Sequence, residues 1–118
     1  MSDPLLPDIL SVEAARVRYK QAKQYYVGRD KRSTSEAVEI VVRTSDELPI
    51  ANVSPALFVG EVPLPEYTRV GRNLYKFYAF EFQKLEEGTA IALGWPQLPS
   101  RKIKTNFRYR LGGGPTVA

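Results

Sequence analysis

Apolar and polar residues alternate with a period of two through most of the chain after residue 35, which is typical of half-buried β-strands. Gly71-Arg72 and the segment "KLEEG" ending at Gly88 interrupt the alternation as turns would. The pattern predicts about six strands, mostly antiparallel, at 36–44, 55–62, 66–70, 73–82, 89–95 and 101–111. Strands joined by such short turns favour a small barrel or a sandwich.

The segment before these strands has a different periodicity. Ser11 is a suitable N-cap, and Gly28 is suited to a left-handed C-terminal stop. Between them an apolar stripe recurs every three or four residues: Val12, Ala15, Tyr19, Ala22 and Tyr26. We therefore predict a helix over 12–27, although the alternation in "ARVRYKQ" also permits a strand. The expected fold class is mainly β (α+β), with one N-terminal helix.

The length of 118 residues suits a single globular domain, predicted over 1–111. Residues 1–10 carry two prolines and predict an irregular arm, followed by the helix at 12–27 and a β-rich body at 36–111. The glycine-rich segment 112–118 predicts a flexible tail. Nothing approaches 18 consecutive apolar residues or a secretory signal, so we expect a cytoplasmic protein without a membrane partner.

The strand at 73–82 is apolar on both of its faces. Tyr78 and Phe80 lie on one face, and Tyr75 and Phe77 lie on the other. Both faces therefore need cover, which the helix, a second sheet or a partner protein could supply.

Charge is divided into blocks along the chain. Residues 11–32 carry seven cations and two acids, and residues 33–68 carry six acids and one cation. Residues 101–111 carry five cations and no acid. A polyanion could contact both basic blocks if the fold brings them together, or the acidic block could neutralise them.

The last basic block is one-sided. In a strand its apolar residues would face inward, while the opposite face would carry Lys102, Lys104, Asn106, Arg108 and Arg110. Such a row could protect an edge strand, pair with the acidic block, or bind the phosphates of a nucleic acid. We take sequence-tolerant binding of single-stranded nucleic acid as the leading hypothesis.

The predicted helix would add a second set of contacts. Its basic flank consists of Arg16, Lys20 and Lys23. Tyr25 would lie with Arg18 on the side away from the core, so it is the candidate ring for stacking on a base.

Enzymatic chemistry has few candidates in this chain. There is no His and no Cys, and no glycine-rich phosphate loop occurs. Glu81 is the one acid within an aromatic strand, and the simplest expectation is that it reaches water. We therefore predict a non-enzymatic binding protein without a metal or cofactor.

The alternative hypothesis is a structural or adaptor subunit, for example a component of a phage or another multi-subunit complex. It would dock through Trp95, at a strand end beside a proline-containing loop, and through Tyr78 and Phe80. Trp95 could equally fill the bottom of the core. The sequence does not indicate an oligomeric state.

Overall fold

A computed structural model of the protein describes residues 6–49 and 54–112, and these form two four-stranded antiparallel sheets. Sheet A has the strand order β1-β2-β6-β5, and sheet B has the order β4-β3-β7-β8. The strands are β1 (Ile9–Val27), β2 (Asp30–Thr44), β3 (Ala56–Val59), β4 (Val62–Leu64), β5 (Tyr67–Gly71), β6 (Leu74–Phe80), β7 (Ala90–Trp95) and β8 (Leu98–Arg108). The expected mainly β architecture is confirmed, as a two-sheet arrangement rather than a closed barrel.

The predicted helix over 12–27 is wrong, because these residues form the greater part of β1 and pair with β2. Within the supposed helical stripe, Ala15, Ala22 and Tyr26 are exposed. β1 also contains a bulge, in which four residues, 19–22, lie opposite the single residue 35 of β2. Burial changes from the even positions 12 and 14 to the odd position 17 before this bulge and continues at 19, 23 and 25, and this sequence of positions resembles a helical repeat.

Pairing with β2 also explains why residues 12–27 form a strand and not a helix. β2 contains the β-branched run "VEIVV", and β6 covers only one of its edges. Helix propensities differ by less than about 1 kcal/mol per residue among ordinary residues. A long antiparallel ladder and the burial of Val12 and Ala14 outweigh such differences.

The inner faces of the two sheets form the core. Sheet A contributes Ile40, Val42, Tyr75 and Phe77, all of which are completely buried. Sheet B covers them with the aliphatic residues Leu57, Leu64, Ile91 and Leu93, which are equally inaccessible. The second sheet is therefore the cover that the face of β6 with Tyr75 and Phe77 requires.

The other face of β6 is covered by the β1–β2 hairpin. The ring of Tyr19 in the β1 bulge lies 5.0 Å from the rings of both Tyr78 and Phe80, edge to face. Lys23 lies over the rings of Tyr19 and Phe80 and forms an ion pair with Glu66. The bulge thus turns the hairpin onto sheet A, and both apolar faces of β6 are covered within the chain.

Two-residue turns connect the strands of each hairpin. Gly28 and Gly60 occupy the first central position of the β1–β2 and β3–β4 turns, each with φ of 64°. The following residues, Arg29 and Glu61, have negative φ, as a type II′ turn requires. Gly28 has the positive φ expected from the sequence, but it lies in a hairpin turn and not at the end of a helix as predicted.

The two turn glycines differ in what surrounds them, which gives a matched pair of substitutions. A Cβ on Gly60 would lie 2.5 Å from Cγ2 of Thr89, whereas Gly28 has nothing within 4 Å of that position. We expect Gly28→Ala to lower the free energy of unfolding by about 1–2 kcal/mol through backbone strain alone. Gly60→Ala should lower the free energy of unfolding by about 1–3 kcal/mol more than Gly28→Ala does, because its Cβ overpacks against Thr89. Urea denaturation of both variants would measure the difference.

A second change isolates the steric part of this effect. Thr89→Ser removes Cγ2 but keeps the hydroxyl that donates to the Glu86 carbonyl at 2.6 Å. Combined with Gly60→Ala, it should recover most of the difference between the two glycine variants. Equal destabilisation by Gly28→Ala and Gly60→Ala would contradict this interpretation.

Candidate nucleic-acid interface

β8 forms an edge of sheet B and presents its basic residues to solvent. Lys102 and Lys104 are exposed and lie opposite Gly94 and Ala92 of β7. Ile103 lies between them, opposite the buried Leu93, so the apolar side of the strand faces the core. The outward-facing cationic row expected from the alternation is present at this point.

A bulge interrupts β8 further along. Ala92 pairs with Lys104 and Ala90 pairs with Arg108, so β8 has two more residues than β7 in this interval. The Thr105 hydroxyl holds the bulge by donating to the Ile91 carbonyl at 2.6 Å and accepting from the Phe107 amide at 3.1 Å. The bulge places Asn106 at the surface and returns Arg108 to the lysine face.

Phe58 of β3 completes this surface and was missed in the sequence analysis. Its ring lies under Lys102, with Nζ 4.5 Å from the ring centroid. In the register of sheet B, Phe58 is opposite Ala92, and the small residues of β7 separate it from the lysines. Alternation could have found it, because Leu57 and Val59 face inward and the residue between them must face outward.

We call the surface formed by Phe58, Lys102, Lys104, Asn106 and Arg108 the β8 ridge. Within residues 6–49 and 54–112, no carboxylate forms a salt bridge with its cations. The acidic block pairs elsewhere: Glu39 with Lys76, Glu47 with Arg69, and Glu66 with Lys23. Arg108 donates to the Gly88 carbonyl, which orients the guanidinium without neutralising it. Arg110 follows the strand and is also exposed.

The cations predicted on a helix flank lie instead on β1, because that segment is a strand. Arg16, Arg18 and Lys20 are exposed there, whereas Lys23 is held by Glu66 at 3.0 Å. Arg16 and Arg18 share a cavity of about 470 Å³, here called the end cleft, with Tyr109. The two basic blocks of the sequence therefore approach each other where the chain leaves β8.

Tyr25 does not present a free ring. It is half-buried, and its ring centroid lies 5.1 Å from that of Phe82. The stacking role proposed for it assumed a helix, in which Tyr25 would face away from the core. In the strand the exposed neighbour is Tyr26, whose accessible fraction is 67%.

The three residues proposed for protein docking are used by the fold itself. Trp95 is 2% exposed and Phe80 is 4% exposed, so neither side chain offers a surface anchor. Tyr78 is half-buried and donates to Glu39 at 3.3 Å. Trp95 fills the core, as the simpler interpretation had it, and its Nε1 has no hydrogen-bond partner among the described residues.

The described residues offer few candidates for other kinds of site. In the described ranges no group of three or more acidic side chains lies close enough together to hold a metal ion. Glu81 is exposed, at the end of β6. None of the residues that the structure describes belongs to a helix that could cross a membrane.

The contact between Lys23 and Glu66 attaches the hairpin to sheet A and has a pH dependence. The hydrogen bond from Lys23 holds the pKa of Glu66 below its ordinary value; burial opposes this shift, and the Tyr19 hydroxyl reinforces it. A lowered carboxyl pKa stabilises the fold above the unfolded value, and this contribution is lost as the pH falls through the folded value.

We expect Glu66→Gln to lower the free energy of unfolding by less than about 1 kcal/mol at neutral pH, because both side chains are partly solvated. The difference from the wild type should shrink as the pH falls below 4.5, the ordinary pKa of this carboxyl. Urea denaturation at a series of pH values would measure it. A difference that grows on acidification would contradict the assignment.

Comparisons of the chain with protein families, curated proteins and solved structures find no match. Its function therefore has to be inferred from its own charges, exposed rings and cavities. Among these the β8 ridge combines three exposed cations without carboxylate partners in the described parts of the chain with the ring of Phe58.

Proposed function

We propose that this protein is a non-enzymatic binding protein whose ligand is single-stranded nucleic acid, held along the β8 ridge. The observation that carries the proposal is the row of exposed cations at 102, 104 and 108 without carboxylate partners in the described chain. An unpaired surface cation binds a phosphate without first breaking an ion pair, and it releases the counterions condensed on the nucleic acid.

The spacing and chemistry of the ridge suit an extended strand better than a duplex. Lys102 and Lys104 project from one face about 6.8 Å apart, the two-residue repeat of a β-strand. Duplex phosphates advance about 3.4 Å per strand along the axis, whereas those of a stretched single strand are further apart. The ring of Phe58 lies under Lys102, so a base would stack on it once the Lys102 side chain turns toward a phosphate, and Asn106 offers an amide for hydrogen bonding.

Protection of an edge strand explains only part of this arrangement. Lysines on an edge do prevent pairing with other chains. Two other edges of this fold use different means, because β4 is three residues long and contains Pro63, and Arg69 of β5 is paired with Glu47. Neither means requires a row of uncompensated charge beside an aromatic ring, which is what β8 has.

The adaptor hypothesis is weaker on this structure. Its anchors were Trp95, Tyr78 and Phe80, and the core and the β1–β2 hairpin occupy all three. A buried indole could contribute to an interface only after local unfolding. We therefore rank a structural or adaptor role second, without named contact residues.

Fluorescence anisotropy with a labelled twelve-nucleotide oligo(dT), measured over a salt series, tests the proposal. With about four phosphates neutralised, by the three cations of the β8 ridge and the exposed Arg110, the logarithm of the binding constant should fall with the logarithm of salt concentration with a slope near −3. A blunt duplex of the same length should bind more weakly. Absence of binding at 20 mM salt would end the proposal.

A further inference from the structure

The end cleft exists because sheet A is longer than sheet B. On the inner face of sheet A, the row containing Ala14, Ile40 and Phe77 is buried under sheet B. The next row contains Arg16, Val38 and Ala79, which line the cleft instead. Sheet A thus continues past the core and exposes part of its inner face.

The chain after β8 closes one side of this cleft. Leu111 forms a parallel bridge with Ala14, and the Gly112 amide donates to the Ala14 carbonyl at 3.3 Å. Glu87 accepts from the Leu111 amide at 2.8 Å. Tyr109 and Leu111 are thereby held as a wall beside β1, so the cleft is built from several fixed elements and does not depend on one loop.

The lining combines an apolar floor with a cationic rim. Val38, Ala79 and Leu85 supply apolar surface, and Arg16 and Arg18 supply guanidinium groups. Neither arginine forms a salt bridge in the part of the chain that the structure describes, although Arg18 is directly across the strands from Glu36. Two unpaired arginines next to apolar surface suit a carboxylate or a phosphate, because two oxygens of either group can accept hydrogen bonds from one guanidinium.

The remaining charges of the lining leave it net positive. Lys84 adds a third cation, and Glu36 and Glu81 add two carboxylates. The carboxylates limit the charge that the cleft can accept, which favours a ligand with one anionic group over a polyanion. They can also accept hydrogen bonds from a ligand's polar edge.

Tyr109 adds a hydroxyl group to the wall of the cleft. The residue is 4% exposed and lines the cleft, and its hydroxyl makes no hydrogen bond within the described ranges. Burial raises the pKa of Tyr109 and the charge of Glu87 adds to this, while Arg16 opposes it. The phenol therefore stays protonated at neutral pH and can donate a hydrogen bond.

The geometry points to the end cleft as a binding site for a small organic anion, with one phosphate or carboxylate on a flat apolar body. Arg16 and Arg18 bind the charged group, Val38, Ala79 and Leu85 contact the apolar body, and the Tyr109 hydroxyl donates to an oxygen. A volume of about 470 Å³ falls within the range typical of pockets for such molecules. The site does not depend on nucleic acid binding at the β8 ridge.

Isothermal titration calorimetry of the full chain would test this with two probes that separate the phosphate and carboxylate sources. Adenosine 5′-monophosphate supplies the phosphate, and 2-naphthoate supplies the carboxylate. Adenosine and 2-naphthalenemethanol are the matched uncharged controls. We expect at least one anion to bind at millimolar concentration or below, at least tenfold more tightly than its uncharged control.

Substitutions locate the binding. Arg16→Gln with Arg18→Gln should weaken the anion at least tenfold, and Tyr109→Phe should weaken it about fivefold. Lys20→Gln with Arg29→Gln removes the same charge from exposed positions outside the cleft and should change affinity less than twofold. Because Tyr109 is buried, circular dichroism must show that its variant is folded, and the arginine pair, which is exposed, gives an independent result. Failure of both anions to bind the wild type, or equal weakening by both charge-removing pairs, would overturn the inference.

Discussion

Replacing both Lys102 and Lys104 by glutamate is expected to weaken binding of single-stranded oligonucleotides about 50-fold at 50 mM salt. Each phosphate contact with a single strand contributes about 0.7 to the salt slope, so the loss of two contacts lowers the slope from about −3 to about −1.5. This electrostatic contribution vanishes at 1 M salt. At 50 mM salt, two phosphate contacts therefore raise the binding constant roughly 50-fold. Repulsion by the new carboxylates adds to the loss.

The control for this experiment has the same change in charge at another place. Arg29 and Lys31 are exposed at the tip of the β1–β2 hairpin, away from sheet B. Arg29→Glu with Lys31→Glu should retain most of the affinity and nearly the full salt slope. If the two double variants bind equally weakly, attraction by net charge alone would explain binding, and the β8 ridge would lose its role.

Phe77→Ala is expected to produce the largest loss of stability among simple substitutions in this protein. Phe77 is fully buried, with Ile40 and Tyr67 opposite it on the neighbouring strands. Truncating a buried Phe to Ala costs about 3–5 kcal/mol, because apolar contact is lost and a cavity remains. The free energy of unfolding of a domain of this size is about 5–15 kcal/mol, so the loss is a large part of the total. We expect the melting temperature of the variant to be roughly 10–20 °C lower than that of the wild type.

Phe82→Ala makes the same chemical change just beyond the end of the same strand. Phe82 is 44% exposed and contacts Phe80 and Tyr25. We expect a loss of about 1 kcal/mol, since only part of the ring is removed from water. Differential scanning calorimetry of both variants would measure the contrast. Similar melting temperatures would mean that sheet B does not cover Phe77 as described.

The β-rich part of the fold could be predicted because its sequence carries two local signals. Alternation located β2, β6, β7 and β8, and turn residues marked the breaks between strands. The segment 55–62 was read as one strand because Gly60 was not recognised as a type II′ turn between β3 and β4. Of the arm predicted over 1–10 and the tail predicted over 112–118, residues 1–5 and 113–118 lie outside the described residues, and β1 begins within the arm, at Ile9.

The wrong prediction of a helix over 12–27 shows a limit of local sequence patterns, which contain no information about strand pairing. In β1 the burial changes from even to odd positions between residues 14 and 17, a bulge follows at 19–22, and only pairing with β2 reveals that the segment is a strand. The same limit applies to the site. The outward cations of β8 followed from alternation, but Phe58 under Lys102 depends on the order of strands in sheet B. The end cleft depends on how far one sheet extends past the other, and sequence periodicity contains no such information.

The order of the strands also decides when each sheet can be completed during synthesis. The chain forms four consecutive hairpins, and the first pairs with the third while the second pairs with the fourth. When β2 leaves the ribosome, its edge "VEIVV" must wait for β6 while the β3–β4 hairpin is translated between them. Until β6 is available, β2 therefore has an apolar edge without its partner strand, and unpaired strand edges of this kind are prone to aggregate during folding.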